Sequence, residues 1–138
     1  MGIWAQPMSN IMNDASKRSY KLMIVDDSNI MRRRIERSQN FDELELIGTA
    51  GNGLEALELF KKADPDVVTM DLTMPQMDGI ECISKLVELK PAIRILVISA
   101  LADKATAVEA MEKGANGFLN KPFTDRQLNE AIADLIRE

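Results

Sequence analysis

Lys21-Leu22-Met23-Ile24-Val25-Asp26-Asp27 decides the fold. Four apolar residues run without a polar break and end on an acidic pair. A run this short, bounded by polar residues and closing on β-branched side chains, reads as a strand buried on both faces. The same kind of unit recurs downstream at 44–50, 67–70 and 95–98, with a weaker version at 117–120. Amphipathic stretches lie between the runs. Ile30 and Ile35 give the first an inner side. Leu54, Leu57 and Phe60, with Ala56 beside them, mark the second; Ile80, Ile83, Leu86 and Val87 mark the third, which Pro91 stops. Val108, Met111 and Ala115 mark the fourth, with Gly114 as its stop. Leu128, Ile132 and Leu135 mark the last, over 125–136, with Thr124 as its N-cap. Five strand–helix repeats predict an α/β fold with a parallel sheet and right-handed crossovers.

The 138-residue length fits one domain with a sizeable core. Residues 21–138 are expected to form it, and 1–20 to be a disordered tail. Trp4, Met8, Ile11 and Met12 fall at helical spacing in that tail, but Pro7 interrupts it. There is no histidine and only one cysteine, Cys82. These counts exclude Ser-His-Asp and Cys-His catalysis, histidine metal ligation and a structural zinc site. A lone cysteine also favours a reducing, cytoplasmic setting. Seventeen Lys and Arg against 22 Asp and Glu give a net charge of −5. That balance argues against nucleic-acid and anionic-membrane partners.

In open parallel sheets ligands bind beyond the carboxyl ends of the strands. Asp26 and Asp27 follow the first strand, Asp71 the third, Ser99 the fourth and Lys121 the fifth. Three carboxylates, a hydroxyl and an amine therefore converge on one edge. Carboxylates crowded together repel unless a cation joins them, and an all-oxygen set suits Mg²⁺. An aspartate can attack phosphorus, and phosphoryl transfer needs mostly positioning and charge neutralisation.

These residues resemble the receiver domains of bacterial two-component systems. The matching pieces are Val25-Asp26-Asp27-Ser28, Met70-Asp71-Leu72-Thr73-Met74-Pro75, Met77-Asp78-Gly79, Ser99-Ala100 and Asn120-Lys121-Pro122-Phe123. The resemblance covers about 21–137. It implies a doubly wound (βα)5 flavodoxin-like three-layer sandwich with parallel strand order 2-1-3-4-5. It implies Asp71 as acceptor of a phosphoryl group from a phosphohistidine on a separate histidine kinase. Mg²⁺ would be held by Asp27, Asp71 and the Thr73 backbone carbonyl, with Asp26 acting through metal-bound water. Lys121 would contact Asp71 and then the phosphoryl group, and Ser99 would bond a phosphoryl oxygen. Phe118 would be the aromatic switch that follows Ser99, and Lys121-Pro122 a cis peptide. Thr73 and Leu101 occupy positions that tune loss of the phosphoryl group. Neither can readily orient water, so slow self-dephosphorylation is expected.

Sixteen residues follow Pro122, enough for one helix. The expected output is therefore a changed surface, helix 4–strand 5–helix 5, and not an enzymatic activity beyond the protein's own phosphorylation and dephosphorylation. Asp27 to Arg33 especially resembles chemotaxis regulators, and 67–71 resembles the receivers of chemotaxis methylesterases. The implied target is a protein such as a motor switch. The alternative is a phosphorelay intermediate that passes the group to a histidine phosphotransfer protein. A haloacid-dehalogenase-like phosphatase needs a second aspartate where Thr73 stands. An FMN carrier needs a phosphate loop where Asp26 and Asp27 would repel one.

Overall fold

The computed structural model describes residues 19–74, 77–100 and 104–137. Of the tail expected over 1–20, residues 1–18 lie outside the described residues, as does Leu101, while Tyr20 departs from the expectation by opening the first strand, paired with Leu44. The element order is β1 (Tyr20–Val25), α1 (Asn29–Ser38), β2 (Leu44–Ala50), α2 (Gly53–Ala63), β3 (Val67–Met70), α3 (Gly79–Leu89), β4 (Arg94–Ser99), α4 (Lys104–Glu112), β5 (Gly117–Asn120) and α5 (Asp125–Ile136). All strand pairs are parallel and the sheet order is β2-β1-β3-β4-β5. This is the flavodoxin-like (βα)5 sandwich.

Because successive strand residues point to opposite faces, each strand feeds two cores. Leu22, Ile24, Val67, Leu96 and Ile98 pack against Ile35 of α1 and Leu128, Ile132 and Leu135 of α5. Met23, Val25, Val68, Met70, Ile95 and Val97 face the other way. There they meet Phe60 of α2, Ile83 and Leu86 of α3, and Ala110 of α4. Burial on both sides explains why the strands read as continuous apolar runs and not as alternation.

Local signals end the helices as their chemistry dictates. Ser28, Asn52 and Asp78 each accept a backbone N–H from the first turn of α1, α2 and α3. Thr124 and Gln127 form a reciprocal capping box on α5. Gly114, at φ +119°, lets the chain turn just after α4. Gly79 is required by contact: a Cβ there would run into the carbonyl oxygen of Asp71 and Cα of Leu72.

Three helical faces differ from the sequence expectation. Ile30 is 80% exposed, because the inner line of α1 runs through Met31 and Ile35, one turn apart. Leu54 is half exposed, because α2 faces inward through Gly53, Ala56 and Phe60. Val108 and Met111 are also exposed; Ala110 is what α4 lays on the sheet. In α2 and α4 a small residue takes an inner position and brings the helix close, which a count of large apolar side chains overlooks. No helix among the described residues is long and apolar enough to cross a membrane.

Candidate functional site

The backbone ladder sets the site. The N–H of Asp26 donates to the Ala50 carbonyl at 3.0 Å, that of Asp71 to Val25 at 2.9 Å, and that of Lys121 to Ser99 at 2.9 Å. Each chemical residue is thus the next rung beyond a strand's last residue, tied to the neighbouring strand. The main chain is held by the sheet while the side chain leaves it at the carboxyl edge.

Carboxylate oxygens of Asp26, Asp27 and Asp71 lie within 4.8 Å of one another. Asp26 and Asp71 are buried, at 1% and 5% exposure, and Asp27 is open to solvent. Both oxygens of Asp26 are engaged: Oδ1 accepts the Ser28 N–H at 2.9 Å, and Oδ2 accepts Lys121 Nζ at 2.8 Å. Asp71 is held more loosely. Its Oδ1 receives the Thr73 N–H at 3.4 Å and lies 3.7 Å from Lys121 Nζ. Lys121 therefore sits closer to Asp26 than to the expected partner, Asp71. Burial, then the charge of Asp26, raises the Asp71 carboxyl from 3.8 to about 6, against the smaller opposing pull of Lys121.

An acidic cluster with one ammonium for three carboxylates, in an all-oxygen setting, fits a hard divalent cation. The fit rests on the loosely held Asp71 and the open Asp27, which leave oxygens able to turn toward an ion. Asp26, with both oxygens bonded to protein donors, is less available.

Ser99 ends β4 and is 1% exposed. Phe118 is half-buried on β5, pairs with Val97, and packs with the α2–α4 core. By strand alternation Ser99 and Phe118 share that face of the sheet, two residues apart in register. The Lys121-Pro122 peptide is cis. Thr73 is exposed beside Asp71.

Two kinds of residue escaped sequence reasoning. Arg32 of α1 donates to the Asp26 carbonyl and to Asn29 Oδ1, and Arg34 donates to the Phe123 carbonyl. Thr69 lies two residues before Asp71 on the same face, flanked in register by Ile24 and Leu96. It is 1% exposed, and its hydroxyl has no hydrogen-bond partner among the described residues. A polar residue inside an apolar strand run was the available signal for Thr69; Arg34 gave none, because its partners are 89 and 91 residues away. A buried orphan hydroxyl is destabilising. Thr69→Val, which keeps the shape, should therefore raise stability by about 1 kcal/mol in chemical denaturation; a loss of that size would show that the hydroxyl is satisfied.

A cleft of about 470 Å³ between the start of β5 and the end of α5, lined by Leu96, Asn116, Gly117 and Leu135, lies at the opposite end of the sheet. None of the strand-end carboxylates reaches it.

Known proteins resemble this chain in sequence and in fold. The response regulator receiver domain model matches residues 22–133. The chemotaxis protein CheY of Listeria monocytogenes is 38% identical over 112 residues, spanning 81% of this chain and 94% of its own length. A protein-glutamate methylesterase/protein-glutamine glutaminase of Photobacterium profundum is 46% identical over 119 residues, 82% of this chain but 30% of the relative. Among solved structures, a chain of the CheX-CheY-BeF3-Mg²⁺ complex from Borrelia burgdorferi superposes with a TM-score of 0.82 at 30% identity, covering 86% of this chain and 90% of that one. On the match to the family model and these identities, the chain belongs to the response regulator receiver family.

Proposed function

We propose that residues 21–138 form a phosphorylation-controlled receiver that takes a phosphoryl group onto Asp71 from the phosphohistidine of a separate kinase. The observation that carries this reading is the set of three carboxylates within 4.8 Å of one another, with the Lys121 ammonium 2.8 Å from Asp26 and 3.7 Å from Asp71. An Asp71 carboxylate oxygen attacks phosphorus, the P–N bond to the donor imidazole breaks, and its electron pair stays on that nitrogen, which takes up a proton. Asp27, Asp71 and the Thr73 carbonyl would hold Mg²⁺, with Asp26 acting through a bound water. When bound, Mg²⁺ neutralises charge on the carboxylates and on the transferred oxygens. Lys121 leaves Asp26 to pair with a phosphoryl oxygen, and Ser99 donates its hydroxyl to another. Catalysis by the chain is confined to its own phosphorylation and dephosphorylation.

The output in this reading is a surface. Ser99 moving toward the phosphoryl group makes room on the face it shares with Phe118, and the ring turns inward. That biases a two-state equilibrium of α4, β5 and α5 toward a form that binds a target protein. The similarity to chemotaxis proteins supports a place in chemotaxis signalling, in the cytoplasm, with a protein target such as a motor switch.

Incubation with acetyl phosphate and Mg²⁺ should add one phosphoryl group to the intact mass, and chelation of the metal should prevent it. A protein that gains no mass is not a phosphoacceptor. Thr73 and Leu101 provide neither a carboxylate nor an amide to orient water, so the phosphoryl group should persist for minutes or longer. Decay of radiolabel from the purified protein measures this, and loss within seconds contradicts it.

A further inference from the structure

Arg34 lies on α1, with its guanidinium 4.6 Å from the centre of the Phe123 ring. One of its terminal nitrogens donates to the Phe123 carbonyl at 2.7 Å and also reaches Asp125 Oδ1 at 3.3 Å. Phe123 is 4% exposed and belongs to the core under α1 and α5. One guanidinium thus holds the backbone, the ring and the first helical residue of the segment that begins at Lys121. Two residues earlier on the same helix, Arg32 holds the carbonyl of Asp26, the residue that Lys121 grips.

We propose that Arg34 is a positioning residue for Lys121: by clamping Phe123 it fixes where the Lys121 ammonium stands between Asp26 and Asp71. Lys121 has a long, rotatable stem, so its reach depends on where its backbone is anchored. On one side that anchor is the ladder bond to Ser99. On the other it is Arg34, whose planar guanidinium lies over the Phe123 ring while it bonds the carbonyl of the same residue, and so fixes direction in a way a point charge cannot. The catalytic part of the inference rests on the proposed phosphoryl transfer; the positional part does not.

The test pairs two readouts on the full chain. Arg34→Met keeps the apolar stem and removes the guanidinium. In nitrogen-15 spectra of the lysine ammonium groups, the Lys121 signal should move in Arg34→Met toward that of a solvent-exposed lysine. The initial rate of phosphorylation by acetyl phosphate should fall about tenfold, with Mg²⁺ affinity within about twofold of wild type. In the Lys121→Ala background, Arg34→Met should cost nothing further, because the residue it positions is gone. An unchanged Lys121 signal overturns the inference. So does a rate loss that multiplies with that of Lys121→Ala, which is what a merely structural staple predicts. A shifted Lys121 signal in a protein that acetyl phosphate never modifies upholds the positioning and rejects the phosphoacceptor reading instead.

Discussion

Asp71→Asn is expected to abolish phosphorylation by acetyl phosphate while making the metal-free protein more stable at neutral pH. The first effect follows from removing the nucleophilic oxygen. The second follows from the cost of keeping Asp71 ionised in a buried site beside Asp26, which raises its carboxyl from 3.8 to about 6. An acid held above its unfolded value binds its proton more tightly in the folded state. The fold therefore loses stability as pH rises from about 4 to about 6, and the whole cost remains at higher pH. Asparagine carries no such charge. At pH 7 to 8 the substitution should add on the order of 1–2 kcal/mol, and the difference should vanish near pH 4. Denaturant unfolding in chelator at several pH values measures this. A destabilised Asp71→Asn at pH 8 would show that the Asp71 carboxylate is a net support of the fold. Mg²⁺ should stabilise the wild type through linkage and Asp71→Asn much less.

Lys121→Ala should weaken both the fold and the reaction. The ammonium is 2.8 Å from an Asp26 side chain that is 2% exposed. Without it the buried carboxylate keeps the Ser28 N–H and loses its counter-charge. Breaking a buried pair from one side is costly, here roughly 2–4 kcal/mol because Lys121 itself retains some contact with water. Mg²⁺ can supply part of the missing charge, so the metal should raise the melting temperature of Lys121→Ala more than that of the wild type. Phosphorylation should slow on the order of a hundredfold, the scale for removing one donor to a developing anion. A variant as stable as wild type in chelator, with an unaltered rate, would mean that Lys121 serves neither role.

Most of the fold was legible because burial on both faces of the sheet leaves few alternatives for apolar runs such as 67–70, and because Thr124 caps the last helix by a local hydrogen bond. The convergence of residues at the candidate site was legible for a related reason. A strand's end in sequence is also the sheet's edge in space, so Asp26, Asp71, Ser99 and Lys121 could be brought together without side-chain detail. What escaped depends on packing between distant segments. Ile30 and Val108 follow an apolar period yet face outward, because Ile35 and Ala110 take the inner positions. The pairing of Lys121 with Asp26 ahead of Asp71 is a matter of about 1 Å, below what residue spacing resolves. Arg34 stacks on a ring 89 residues away.

The most direct test of the account is to locate the phosphoryl group. After treatment with acetyl phosphate and Mg²⁺, borohydride reduction converts an aspartyl phosphate to homoserine, which peptide mass spectrometry can place. The account predicts homoserine at position 71 alone and none in Asp71→Asn. No homoserine anywhere, or homoserine at Asp26 or Asp27 in place of Asp71, would contradict it.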